Sequence, residues 1–354
     1  GNDFSKGDLN MRKVLLATTA LVAMSASTAF AQSASLEISG NHQVAYWAED
    51  HSTLGDYDGV AEDGNIVFTA SMTADSGLQV TGVTSASSVT LAVEDHYINL
   101  SDDFGTLRLG AADSLTDAID GSATIYSTPE NFGLGTLSRP TLMYGAGARL
   151  TNHSIYDGEE KISYRSPNIA MGAASLDFAM SALPRLDGLA TQVALNAGIF
   201  SLTYGQDEHT LAAATNVYAA TNAAATAGGS GIMPVGDYTS SMLGFGLNFG
   251  DVRVAIADGD ANYTTVAGVE TNKVDRTEYG IVYSGIENAS MYWTVSEEKE
   301  TVSLAAAETF THTHIGMTYS IVPGLNLKVE SGTEELKTAN LESQYNAIGL
   351  QFVW

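Results

Sequence analysis

Residues 342–354, ESQYNAIGLQFVW, decide the fold class. Large apolar or aromatic side chains occupy every second position from Ile348 to Trp354, and Ala347, Gly349 and Gln351 lie on the other face. In a β-strand, alternate side chains point to opposite faces, so this pattern is typical of a strand between lipid and an aqueous lumen. A half-buried strand of a soluble protein would alternate in the same way. The membrane interpretation is favoured because the sequence stops on the aromatic residues of the strand itself.

The same alternation recurs upstream as a series of hairpins. Seven pairs of alternating segments are joined by short turns of Gly, Pro, Asn, Asp or Ser, such as Val322-Pro323-Gly324 and Ser166-Pro167-Asn168. Together with a first strand over 36–47 and the last strand, they predict 16 strands. The longer stretches between hairpins are mostly polar or acidic: 48–65, 111–160, 206–238, 259–274, 299–308 and 335–341.

Short turns on one rim and long loops on the other are typical of outer-membrane barrels. We therefore predict an all-β fold, a 16-stranded antiparallel transmembrane β-barrel. Arg108, Arg253 and Lys328 each lie between two apolar neighbours within predicted strands. Facing lipid, such a cation would cost about 2–4 kcal/mol, so we expect these side chains to face a lumen. The polar outer face of a soluble sandwich would explain the alternation equally well.

The N-terminal region predicts export. Residues 11–31, MRKVLLATTALVAMSASTAFA, begin with Arg12 and Lys13, continue with an apolar run and end on Ala29-Phe30-Ala31. This is the pattern of a secretory signal peptide cleaved before Gln32. The alternative, a single membrane anchor, is disfavoured because the apolar run is short for a span. We assign 1–10 to an upstream extension and 32–354 to the barrel.

The composition excludes several classes of function. The chain of 354 residues has 15 Lys and Arg against 41 Asp and Glu, a net charge of −26, and no Cys. Such an acidic chain would repel a nucleic-acid backbone. Without cysteine there is no disulfide framework, zinc ribbon or thiol catalysis. Without residues 1–31 the chain keeps 12 basic and 39 acidic residues.

Three features resemble the general diffusion porins of Gram-negative bacteria, in particular those of alphaproteobacteria. They are the signal peptide, the segment 101–110 (SDDFGTLRLG) with the long acidic stretch after it, and the segment 161–168 (KISYRSPN). The resemblance implies a homotrimer in the outer membrane, in contact with its lipid and lipopolysaccharide. Each subunit would then form a water-filled channel for passive diffusion of small hydrophilic solutes and ions. Phe352 and Trp354 are similar to the signal that the barrel-assembly machinery recognises in that family.

The resemblance also implies a pore constriction. The loop over about 111–160 would fold into the lumen and narrow it, with carboxylates facing arginines. An acidic lining favours cations, so we predict a cation preference. The alternative is that much of the negative charge lies in external loops and keeps them solvated. The predicted constriction residues are Asp113, Asp117, Asp120, Glu130, Arg108, Arg139, Arg149 and Arg165.

The first predicted external stretch carries the carboxylates Asp56, Asp58, Glu62 and Asp63. Hard divalent cations take such oxygen ligands, so calcium or magnesium is a hypothesis for ordering this stretch or bridging it to anionic head groups. No segment matches the twelve-residue calcium loop, and a solvated run of charge explains the carboxylates as well. We predict no other cofactor.

Other functions remain as alternatives. His312 and His314 share one strand face and form a possible metal pair, although a position on a pore wall explains them better. An exported soluble β-sandwich that acts in binding or adhesion is the main alternative to a channel. An outer-membrane barrel hydrolase is a weaker one, because no histidine lies in a recognisable nucleophile motif. We therefore predict that the protein is not an enzyme.

Overall fold

The computed structural model describes residues 35–52, 55–112, 160–184, 187–211, 236–265, 270–302, 308–337 and 340–354. The predicted signal peptide and upstream extension lie outside these residues. Among the described residues, no helix is long and apolar enough to cross a membrane. The strands are β1 (Ser35–His51), β2 (Gly55–Thr73), β3 (Gln79–Ser87), β4 (Val93–Asp102), β5 (Gly105–Ala111), β6 (Glu160–Arg165), β7 (Ile169–Met171), β8 (Ala174–Leu183), β9 (Gly188–Ala197), β10 (Phe200–Leu211), β11 (Gly236–Phe249), β12 (Val252–Thr265), β13 (Glu270–Ile286), β14 (Ala289–Val302), β15 (Glu308–Val322), β16 (Leu325–Leu336) and β17 (Leu341–Val353).

The strands close into a barrel. Neighbouring strands pair antiparallel around the ring, and β1 pairs with both β2 and β17. Because β6 and β7 both pair with β8, they are two halves of one barrel strand, and the closed sheet has 16 strands. The predicted fold class is confirmed. A closed ring has no free sheet edge, which excludes the soluble sandwich considered from the sequence.

One predicted turn is wrong. Ser166-Pro167-Asn168 does not end a hairpin but interrupts the strand between β6 and β7. The backbone N–H of Ser166 still donates to the Phe178 carbonyl at 2.8 Å, so pairing with β8 continues past the interruption. Pro167 has no N–H for the ladder, which accounts for the break. The turn lies instead at Gly172, whose φ of 70° suits glycine.

Several predicted loops are also shorter than expected. The stretch 48–65 belongs to the β1–β2 hairpin, which stays in register as far as His51 and Gly55. Most of 259–274 likewise belongs to β12 and β13. At their ends, these strands extend past the apolar outer surface and carry polar side chains on both faces. Backbone hydrogen bonds maintain the strand pairing there. The alternation of hydrophobicity that marks a strand is therefore lost in the sequence there.

The two faces of the sheet differ along each strand. On β11, Leu243 and Phe245 point outward and are exposed, whereas Tyr238, Ser240 and Met242 point inward and are buried. Residues that pair directly across an antiparallel ladder share a face, so this assignment extends around the ring. Large exposed apolar side chains on the outward face match a lipid-facing surface.

The last residue closes the ring. The N–H of Trp354 donates to the Gly40 carbonyl at 3.1 Å, and the Gly40 N–H donates to the Trp354 carbonyl at 3.2 Å. The rings of Phe352 and Trp354 stack with centroids 5.5 Å apart on the outward face. A side chain at residue 40 would meet the Trp354 ring 2.9 Å from its Cβ, so glycine lets the indole lie against β1.

Candidate functional site

Two predicted constriction arginines lie on one wall of the lumen. Arg108 on β5 pairs with Ser163 on β6, and Arg165 on β6 pairs with Thr106 on β5, so both side chains share the inward face. The remaining predicted members lie outside the described residues: Asp113, Asp117, Asp120, Glu130, Arg139 and Arg149. Their contacts with this wall therefore stay predictions.

Each of the two arginines is held by neighbours on the wall. Arg108 Nε donates to Asn99 Oδ1 at 3.0 Å, and its guanidinium carbon lies 4.2 Å from the centre of the Tyr97 ring. A nitrogen of Arg165 lies 3.6 Å from an Asp177 carboxylate oxygen on β8. Lys161 pairs with Gly110 and faces the same way, so β5 and β6 carry a basic wall.

The four carboxylates proposed for a divalent cation do not share one face. Asp58 pairs with Ala48 and Glu62 with Val44, and they point outward together with Asp56. Asp63 points inward, where Gln43 Nε2 donates to its carboxylate at 3.2 Å. Within the described ranges, no group of three or more His, Asp or Glu side chains could hold a metal ion. Calcium binding stays a prediction.

A network around Glu330 lies on the inward face of β14–β17 and was not predicted from the sequence. The hydroxyls of Tyr292 on β14 and Tyr345 on β17 both donate to the Glu330 carboxylate on β16. Each tyrosine ring packs over a glycine of the neighbouring strand. An added Cβ would lie 2.3 Å from the Tyr292 ring at Gly316, and 2.3 Å from the Tyr345 ring at Gly332. The two glycines therefore make room for the tyrosines that hold Glu330.

The two histidines extend this network. His312 and His314 face the lumen on β15, as predicted, with ring centroids 6.2 Å apart and ring planes 10° apart. His314 Nδ1 lies 2.5 Å from the Tyr345 hydroxyl, and His312 Nδ1 lies 3.9 Å from a Glu334 carboxylate oxygen. We call this set the Glu330 cluster, and its members are Tyr292, His312, His314, Glu330, Glu334 and Tyr345.

Further carboxylates line the same side of the lumen. Glu49 on β1 accepts a hydrogen bond from the Ser343 hydroxyl. Glu278 on β13 forms an ion pair of 2.5 Å with Arg276, and Glu298 on β14 pairs directly with Arg276. In a ring of 16 strands, β15 lies eight strands from the β6–β7 strand. An acidic wall on β13–β17 and β1 therefore lies across the barrel from the basic wall.

The sequence held a partial signal for this acidic wall. Lys328, Glu330 and Glu334 occur at even spacing in one strand, which places them on one face. Tyr292 and Tyr345 lie 38 and 15 residues from Glu330 along the chain, and the strands between them set the contact. Alternation alone could not have identified these partners.

A family model described as a Gram-negative porin matches residues 17–339 of the chain. No curated protein sequence matches this chain.

Several solved structures share the fold. In-vitro folded OmpT, an outer membrane protein of Vibrio cholerae, has a TM-score of 0.65 at 12% identity, covering 93% of this chain and 100% of that chain. The anion-selective porin from Comamonas acidovorans has a TM-score of 0.65 at 12% identity, covering 91% and 100%. Salmonella typhi OmpF, in a complex with daunomycin, has a TM-score of 0.61 at 12% identity, covering 90% and 97%. At this identity the likeness shows the fold alone.

Proposed function

The chain belongs to the Gram-negative porin family, and we propose that its channel prefers cations. As a member of that family it is an outer-membrane β-barrel that lets small hydrophilic solutes diffuse passively. A barrel of 16 strands is wide enough for an aqueous channel, whereas eight strands would be filled by side chains. The cation preference must follow from the charged residues of this chain.

The acidic wall is the observation that supports the preference. It combines Glu330 and Glu334 with Glu49, Glu278 and Glu298, all on the inward face. Carboxylates along a pore favour cations, because each fixed negative charge lowers the energy of a cation beside it. Five carboxylates against Arg276 and Lys328 make this wall net negative. Arg108, Lys161 and Arg165 lie on the opposing wall, so a transverse field results.

We further propose that the loop over about 111–160 folds into the lumen and narrows it. Inward side chains on β6, β8, β9 and β10 support this, because Lys161, Ser181, Gln192 and Asp207 are all at most 3% exposed although they face the channel. A segment that enters the lumen after Ala112 would cover this wall.

Replacing Asp113, Asp117 and Asp120 together by Asn should lower the cation-to-anion permeability ratio by at least about twofold, because three fixed charges leave the narrowest part. The reversal potential under a salt gradient in a planar bilayer measures this ratio. The matched control is D50N/D56N/D58N, which removes three carboxylates from the outward face. An unchanged reversal potential in the first variant would remove these aspartates from the constriction.

We also propose that the protein is a homotrimer whose subunits meet through the outward face of β1–β3. His42 on β1 and Glu62 on β2 lie on this face between apolar positions, and His42 Nδ1 lies 2.9 Å from the Ser88 hydroxyl. The outward positions of β3 are small or polar at Gly82 and Thr84. Charged groups facing lipid are unfavourable, so a protein partner suits this face better than lipid.

We also propose roles for the two ends of the chain and for carboxylates on the outward face. Residues 11–31 direct export, and the barrel-assembly machinery recognises Phe352 and Trp354. The outward carboxylates Asp56 and Asp58 are the candidates for bridging to lipopolysaccharide through a divalent cation. We propose that the protein acts as a channel and not as a barrel hydrolase.

A further inference from the structure

We infer that His312 and His314, acting beside Glu330 and Glu334, determine the ion selectivity of the channel and make it depend on pH. The inference rests on the proposed cation preference and names the residues that regulate it. Acidification between about pH 7.5 and 5 should weaken the preference.

The histidines are the members of the Glu330 cluster that reach the lumen. The His312 side chain is 16% exposed, whereas that of Glu334 behind it is 1% exposed. His314 is likewise partly exposed, while Glu330 is buried under Tyr292 and Tyr345. A proton or a permeating ion in the channel therefore meets the imidazoles before it meets the carboxylates.

The hydrogen bonds fix how His314 takes up a proton. Tyr345 has one hydroxyl proton and donates it to Glu330, so the Tyr345 oxygen accepts from His314. Where the Tyr345 hydroxyl accepts, His314 Nδ1 is the donor of this bond. Both ring nitrogens of a protonated imidazole are donors, so protonation adds a positive charge and keeps the bond to Tyr345.

His312 acts on the second carboxylate. Its Nδ1 lies 3.9 Å from Glu334, a distance at which an imidazolium and a carboxylate form an ion pair. The two charged histidines would offset the two negative charges of Glu330 and Glu334. The local field that favours cations would then be largely cancelled.

Histidine is the side chain that ordinarily changes its charge between about pH 5 and 8. Acidification through this range therefore adds positive charge to the wall at His312 and His314. The titratable and charged groups facing the pair are Tyr292 and Glu298 on β14, Arg276 and Glu278 on β13, Lys328, Glu330 and Glu334 on β16, Tyr345 on β17 and Glu49 on β1.

The test is the reversal potential of single channels in planar bilayers under a potassium chloride gradient, at pH 7.5 and at pH 5.0. For the natural sequence, the cation-to-anion permeability ratio should fall at least about threefold on acidification. In H312Q/H314Q this fall should shrink to less than half on a logarithmic scale. H96Q is the matched control, because His96 lies on the outward face of β4 opposite Thr84, and it should keep the full response.

A pH response of H312Q/H314Q equal to that of the natural sequence would overturn the inference. A natural sequence without cation preference at pH 7.5 would instead overturn the proposed function, while a smaller pH shift in the double variant would still support the role of the histidines. If the double variant yields no channels, H312Q and H314Q singly should each remove part of the response. No loss in either single variant would equally overturn the inference.

Discussion

Deletion of Trp354 should lower the amount of assembled barrel in the outer membrane at least about tenfold, while export across the inner membrane is unchanged. The truncated chain loses both backbone hydrogen bonds between Trp354 and Gly40. At about 1 kcal/mol each, two such bonds correspond to more than a tenfold change in an equilibrium. It also loses the indole that stacks on Phe352 at the seam between β1 and β17.

Heat-modifiable migration of outer-membrane fractions on gels separates folded from unfolded barrels and measures this loss. The matched control is W354F, which keeps the backbone bonds and an aromatic ring and should assemble close to the natural level. Periplasmic processing of the precursor reports export separately. Normal barrel levels for the truncated chain would contradict both the closing role of Trp354 and its proposed role as an assembly signal.

Replacement of Gly332 by Ala should destabilise the barrel by about 1–3 kcal/mol, because an added methyl overpacks the inner wall. The new Cβ would lie 2.3 Å from the Tyr345 ring, so the ring must move. The Tyr345 hydroxyl would then move away from Glu330 and from His314 Nδ1, so both hydrogen bonds would be lost. The urea midpoint of unfolding in detergent micelles measures the effect.

Gly82 is the matched control for this substitution. It also lies in a strand, on β3, and an added Cβ there meets no atom within 4 Å. G82A should therefore unfold at or above the midpoint of the natural sequence, since alanine is less costly to order than glycine. Equal midpoints for G332A and G82A would mean that the contact between Tyr345 and Gly332 contributes nothing to stability.

The number of strands followed from the sequence because apolar alternation and short turns repeat through most of the chain. The limits of that pattern appear at 48–65, where β1 and β2 continue as polar strands beyond the apolar band. The turn at Gly172 was missed because Pro167 is usually a turn residue, and only the backbone pairing of Ser166 shows that the strand resumes.

The orientation of a site residue could be predicted only from alternation within its own strand. Alternation placed Arg108, Arg165 and the pair of histidines on the inward face, as observed. The Glu330 cluster escaped prediction because its contacts join four consecutive strands, β14 to β17, and alternation within one strand does not fix the register between strands. The outward position of Glu62 was hidden by the assumption that 48–65 is a loop.

Planar-bilayer conductance of the purified mature protein under a salt gradient tests the central claim most directly. A cation-preferring trimeric porin should insert in events of three equal steps, with the sign of the reversal potential showing that cations carry most of the current. Stable channels with an anion-favouring reversal potential would contradict the proposed role of the acidic wall. A folded protein that gives no conductance would contradict the water-filled channel itself.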